Sequence, residues 1–173
     1  MKAALDVHYA KGKAYAACIV FNTWLDNEPT EIFEAVVPFS ARYRSGRFYE
    51  RELPCLLSVL NQTKHRYSTI VIDGFVHLKV SVGKGLGAHL YESLPYSSVV
   101  IGVAKSRSKA ADCFIPIFRG RSKKPLYISS AGCDVEKAAK SILRMHGPNR
   151  IPTLLLLADQ HARRIKRINC DDI

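Results

Sequence analysis

The chain has 173 residues, 47% of them hydrophobic, and a formal net charge of +11 from 26 Lys and Arg against 15 Asp and Glu. That length and apolar content suit one buried core and exclude a largely disordered chain, while the charge favours a polyanionic partner, nucleic acid before an anionic membrane surface. No apolar run, Leu154 to Ala158 included, is long enough to span a bilayer, and the five cysteines show no paired spacing and no His/Cys cluster for zinc, so a reduced cytoplasmic protein is expected.

Lys2 to Tyr9, Lys13 to Phe21 and Thr30 to Pro38 read as three strands. Gly12 and Asp26-Asn27-Glu28-Pro29 join them, and such short links imply antiparallel hairpins. Asp6 stands between Leu5 and Val7 in the first strand. It either faces solvent on the polar side or, turned inward, needs a partner or a cation. The loop Arg42-Tyr43-Arg44-Ser45-Gly46-Arg47-Phe48 interleaves cations with rings. That composition suits phosphate contact and base stacking, and equally a solvated loop. Pro54 fits a helix only in its first turn, so a helix is expected from near Glu52 to near Asn61. Glu52 then either points inward with Phe48, Leu56 and Val59 or serves the helix dipole.

Thr69-Ile70-Val71-Ile72-Asp73-Gly74 reads as a strand buried on both faces, with its carboxylate at the C-terminal edge. Open α/β sheets hold ligands at that edge, although Asp-Gly is also an ordinary turn pair. Gly83-Lys84-Gly85-Leu86-Gly87-Ala88-His89 matches neither a P-loop nor a dinucleotide fingerprint. Its glycines, Gly83, Gly85 and Gly87, permit close approach to a ligand. His77 and His89 are candidate substrate contacts. Ser97 to Val103 is a further buried strand, and Lys105 just beyond it faces the same edge as Asp73, either to neutralise a phosphate or as an ordinary surface lysine. The basic stretch 106–124 reads as one or two short strands or a loop, and Pro125 to Ser130 as a strand. Asp134 caps or begins a helix through Met145, Gly147-Pro148 breaks the chain, and Pro152 opens a last helix to residue 168. In that helix Asp159 shares a face with Leu155 and Ala162, followed by basic Arg163, Arg164, Lys166 and Arg167.

Three antiparallel strands, a helix, then parallel strands alternating with helices describe an α/β fold: a ribonuclease H-like mixed sheet flanked by helices. In that layout Asp6, Glu52, Asp73 and Asp159 converge. Clustered carboxylates repel unless divalent cations join them, and oxygen donors favour Mg²⁺, with Mn²⁺ as substitute, over zinc. Such an ion activates water for in-line attack on a phosphodiester. No Ser-His-Asp or reactive cysteine constellation competes.

Across nearly the whole chain the sequence resembles the endonuclease V family. The matching pieces are Leu5-Asp6-Val7 with Tyr9, Tyr43-x-x-Gly46 followed by Arg51-Glu52-x-Pro54, and Val71-Ile72-Asp73-Gly74. They continue with Ile101-Gly102-Val103-Ala104-Lys105, Pro125-Leu126-Tyr127-Ile128-Ser129, and Pro152 leading to Ala158-Asp159. The resemblance implies a single nuclease domain over 1–173 and Mg²⁺-dependent cleavage of DNA or RNA near a deaminated base such as inosine, a repair-type activity. By position it implies Asp6, Glu52, Asp73 and Asp159 as metal-binding acids and Lys105 as an active-site lysine. It also implies the Tyr43 to Gly46 loop, with Tyr43, Arg44 and Gly46, as a strand-separating wedge, and Gly83, Gly85 and Gly87 beside a pocket for the extruded base; Arg47 and His89 are expected as further nucleic-acid contacts. A nucleic-acid partner, no membrane, and a monomer are expected. The departures lie in the recognition parts. Arg42 and Ser45 stand where the family carries prolines, no His-Pro-Arg follows Asp73-Gly74, Gly132-Cys133 replaces Gly-His, and Leu154 and Leu156 fill the Pro and Arg places after Pro152. DNA or RNA, and inosine or another feature, stay open as substrates. The alternative is a nucleic-acid-binding protein that keeps this fold without cleaving.

Overall fold

In the computed structural model, which describes residues 1–38, 49–79 and 81–168, seven strands and four helices form a three-layer α/β arrangement. Strands β1 (Lys2–Ala10), β2 (Lys13–Phe21) and β3 (Glu31–Pro38) precede α1 (Tyr49–Gln62). Then follow β4 (Thr69–Asp73), α2 (Leu86–Ser93), β5 (Val99–Ala104), β6 (Ile115–Ile117), β7 (Leu126–Ala131), α3 (Val135–Arg144) and α4 (Thr153–Ile168). The sheet order is β3-β2-β1-β4-β5-β7-β6. The first hairpin is closed by Lys11 and Gly12, both at positive φ, the two-residue turn whose twist matches its strands.

Side chains alternate across each strand, so one sheet feeds two cores. Ala3, Leu5, Ile70 and Ile72 pack with Leu56 and Val59 of α1 and Leu90 of α2. Ala4, Val71 and Ile101 pack with Ile142 of α3 and with Leu154 and Ala158 of α4. Ile70, Val71 and Ile72 are each at most 2% exposed. At about 1.5–3 kcal/mol per buried aliphatic side chain, this burial fixes β4 between the layers.

β1 and β4 run parallel, paired from Lys2↔Thr69 to Leu5↔Ile72, whereas β1 stays paired with β2 as far as Ala10↔Lys13. The sheet therefore opens between β1 and β4 past Leu5 and Ile72. From there one strand leads to β2 and the other away toward β5. Such a switch point is where open α/β sheets form their binding crevice. The chain leaves β4 through Gly74 (φ +131°) and folds over Gly102 of β5. A Cβ at Gly102 would stand 2.4 Å from the Gly74 carbonyl oxygen, so only glycine admits this crossing. Ser129 Oγ accepts a hydrogen bond from the Val76 N–H at 2.9 Å and holds the segment down.

The structure departs from the sequence reading in three elements. α1 is already helical at Tyr49, which places Pro54 inside it rather than in its first turn. The apolar face of Cys55, Leu56, Val59 and Leu60 outweighs the hydrogen bond that the proline removes. The glycine stretch enters a helix, α2, with Gly85 as its N-cap and Gly87 within it. β7 and β6 continue the sheet antiparallel to β5 and to each other, because no helix lies between β5 and β7 to make a parallel crossover.

Candidate functional site

Asp6 and Asp73 follow Leu5 and Ile72, the last residues paired between β1 and β4. Leu5 and Ile72 face α1, so the two carboxylates emerge one step later on the α4 side of the opening. There they line a small recess with Lys105 and with Leu155 and Ala158 of α4. Both acids also border a cavity of about 400 Å³, whose far wall carries Glu52 and Leu56 from α1 and whose rim carries Phe75, Lys105 and Ser108. Asp6, Glu52, Asp73 and Lys105 thus meet at one cleft from three elements and a loop.

The electrostatics of the cleft are dominated by carboxylates withdrawn from water. Burial first, and then the charge of Asp73, pushes Asp6 up to about 7, against the opposing pull of Lys105 and of the Val7 N–H. Burial, with Asp6 and Asp73 adding to it, pushes Glu52 up to about 8. Lys105 Nζ lies 2.7 Å from Asp73 Oδ2. Burial works against the lysine's charge, but its hydrogen bond to Asp73 and the fields of Asp73, Asp6 and Asp159 hold its pKa above the ordinary lysine value. A cation therefore already sits among three carboxylates. Asp159 approaches from α4. A hydrogen bond from Arg163 Nε at 2.9 Å keeps it below the usual carboxylate range, and its charge adds to those that raise Asp6. Among the described residues no three His, Cys, Asp or Glu side chains gather closely enough to hold a metal ion by themselves. The four acids share one neighbourhood without forming one ligand set.

A second cavity, about 260 Å³ and more apolar, adjoins the first and shares Asp73, Gly74, Phe75, Leu86 and Ser108 with it. Gly85 and Tyr49 also line it. The Tyr49 ring stacks on His89, with centroids 3.6 Å apart and planes 13° from parallel. His89 is thus the ring beneath Tyr49, and burial lowers its pKa. Gly87 faces the interior of the fold: a Cβ there would come within 2.6 Å of Val76 Cγ2. Gly83 occupies an exposed turn at φ +101°. Of the three glycines only Gly85 borders a cavity, so the close approach they permit is mainly that of α2 to residues 75–76. His77 is tied to the framework, its Nε2–H donating to the Ser130 carbonyl at 3.1 Å. Tyr43, Arg44, Gly46 and Arg47 lie outside the described residues.

Sequence reasoning missed Tyr49, Phe75, Ser108 and Arg150. Arg150 Nη2 donates to the carbonyls of Lys105 and Pro125 and so fixes the backbone beside the active lysine candidate. No spacing announces it. Tyr49 could have been found only by extending α1 backward through the Pro54 signal.

With this geometry in place, the comparisons with known proteins are specific. The family model described as endonuclease V matches residues 1–114. No curated protein matches by sequence. The fold is shared with an endonuclease V from Bacillus subtilis (TM-score 0.77, 20% identity, covering 99% of this chain and 82% of that one). The catalytic domain of human endonuclease V superposes with TM-score 0.80 at 22% identity, covering 98% and 83%. The Ciona intestinalis enzyme, solved with DNA containing an inosine followed by a ribo-adenosine, gives 0.78 at 20% identity, covering 96% and 86%. Among the described residues no helix is long and apolar enough to cross a membrane.

Proposed function

The chain belongs to the endonuclease V family, and on that premise we propose that residues 1–173 form a single, monomeric nuclease domain that hydrolyses a phosphodiester of DNA or RNA near a deaminated base such as inosine. The observation that carries this reading is the cleft itself, where Asp6, Glu52 and Asp73 repel one another around a space already entered by the Lys105 ammonium. Asp6 and Asp73 would hold Mg²⁺, or Mn²⁺ in its place. One or two carboxylates are enough for Mg²⁺, which takes its other ligands from water and substrate phosphate. When bound, such an ion lowers the pKa of water and offsets charge on the phosphoryl oxygens.

The remaining roles fall to the chain's own groups. Burial makes Glu52 hold its proton more tightly than an ordinary carboxyl, and positive charge joining the cleft would loosen it. Lys105 stands where its ammonium can neutralise a phosphate oxygen once drawn from Asp73. Asp159, kept ionised by Arg163, closes the α4 side. The apolar cavity, walled by Phe75, Leu86 and the stacked Tyr49, suits a flat base taken out of its strand. The Ciona enzyme was solved with an inosine-bearing strand, and the same class of strand is proposed here.

The test is a cleavage panel of inosine, uracil, mismatch, flap and unmodified substrates as DNA and as RNA, with Mg²⁺. Nicking of inosine strands that Asp73→Ala abolishes is expected. Cleavage undiminished in that variant would overturn the assignment. A binding protein without cleavage is the second reading, favoured by the lack of three gathered metal donors among the described residues. Mn²⁺ titration by calorimetry separates the two, since only the nuclease needs to hold the ion.

A further inference from the structure

Across the loop 105–112 from the carboxylate cleft lies another hollow, about 620 Å³ and open to solvent. Lys79, Arg107 and Lys109 surround it, with Asp112 as the one carboxylate. The three cations are exposed, and among the described residues none of them joins an ion pair. Their supporting backbone is tied down. Ser108 Oγ accepts from the Ala110 N–H at 3.1 Å, and the Lys79 N–H donates to the Ala110 carbonyl at 2.7 Å. Lys79 and the Arg107–Lys109 turn are thereby stapled together, so the backbone positions that carry the three charges keep their spacing.

The wall of the hollow is aromatic. Phe114 lines it and packs between Phe75 (centroids 5.6 Å) and Tyr127 (5.2 Å). Phe75 in turn borders both the carboxylate cleft and the apolar cavity. Ser108 lines all three spaces. A strand leaving the cleft over Ser108 therefore runs directly onto three cations that join no ion pair among the described residues, beside a ring. Phosphates neutralised this way release counterions, which gives affinity without reading sequence.

We propose that this hollow binds the phosphodiester backbone of the substrate strand on one side of the cut, with Lys79, Arg107 and Lys109 each meeting a phosphate. The inference rests on the nucleic-acid reading of the cleft and extends it to a backbone site outside the chemistry. The full chain carrying Lys79→Gln, Arg107→Gln and Lys109→Gln is compared with wild type for binding to an inosine oligonucleotide over a salt series. Lys64→Gln with Arg66→Gln, at the opposite end of β4, serves as control. The expected result is roughly tenfold or greater weakening, with the slope of log affinity against log salt reduced by about 2 to 3, at about 0.7–0.9 per lost contact. The loss should appear in KM rather than kcat, Arg107→Gln alone should give about a third of the slope change, and the control should give none. Shortening the strand on one side of the inosine should erase the difference between variant and wild type, while shortening the other side should leave it.

Unchanged affinity and slope in the triple variant overturn the site, as does a deficit indifferent to both truncations. If wild type binds with the expected slope but cleaves nothing in the panel, the nuclease reading falls and the backbone site stands. If wild type cleaves and the triple variant binds and cleaves identically, the reverse holds.

Discussion

Arg119 and the Asp6–Glu52 pair are all charged groups taken out of water, and they are treated in opposite ways. Arg119 is 6% exposed. Its Nη1 donates to the carbonyls of Asn149 (2.9 Å) and Arg150 (3.3 Å), and its Nη2 to those of Met145 and Gly147. Every bond goes to backbone, so the guanidinium replaces its water shell with fixed dipoles and pins the turn that launches α4. The Asp6 carboxyl accepts one hydrogen bond, from the Val7 N–H, while the Glu52 carboxyl has none among the described residues, and both sit among other carboxylates. Burial of the first kind holds the fold. Burial of the second kind opposes it and is maintained only because the packing around β1 and β4 enforces it. Unfavourable charge clusters of this sort mark candidate active sites.

The largest contrast should come from Asp73→Ala. Removing one essential charge from a pre-organised site costs at least roughly 10²–10³ in rate. The side chain is 40% exposed, so the urea midpoint should hardly move. Arg119→Ala should do the opposite. Four backbone carbonyls, that of Met145 buried and the other three partly buried, lose their donor, a cost of about 3–5 kcal/mol read from urea unfolding. Arg119→Lys should recover only part of it, because an ammonium cannot reproduce the planar fork. If Arg119→Ala were silent, or Asp73→Ala unfolded the chain, the division between a structural and a functional charge centre would fail.

The same division explains what the sequence made legible. Apolar stretches bounded by short turns announced β1 and β2, an uninterrupted apolar run announced β4, and Asp6 within β1 and Asp73 at the end of β4 marked the candidate cleft, because strand register carries side chains a fixed distance per residue. The α3 boundary was readable because Asp134 accepts hydrogen bonds from the N–H groups of Glu136 and Lys137 as its cap. α2 was hidden by Gly85 and Gly87, whose helix is stabilised by close packing on residues 75–76 and not by propensity. The start of α1 was hidden by Pro54, a local rule overridden by a buried face. Arg119 and Arg150 could not be found at all. Their partners are carbonyls, which every residue has, and contacts to carbonyls leave no signature in composition or spacing.

The smallest effect is also the most telling about the cleft. The carboxyls of Asp6 and Glu52 have ordinary values of 3.8 and 4.5 and are raised to about 7 and about 8 in the folded chain. The native state therefore keeps protons that the unfolded state has released. The resulting stabilisation is complete below about pH 4 and disappears as pH rises through about 7 to 8. Glu52→Gln removes the charge that appears over that window while keeping the shape of the side chain. Above about pH 8 it should be more stable than wild type by on the order of 1–3 kcal/mol, and near pH 4 the two should coincide. Millimolar Mg²⁺ should raise the wild-type melting temperature most at the alkaline end, because the cation relieves the same repulsion, and should do little for Asp6→Asn. A wild type equally stable at both ends of the range, with no gain in Glu52→Gln, would mean that the carboxylates do not repel in solution. The cleft would then be an ordinary polar edge of the sheet, no different in kind from the satisfied charge at Arg119.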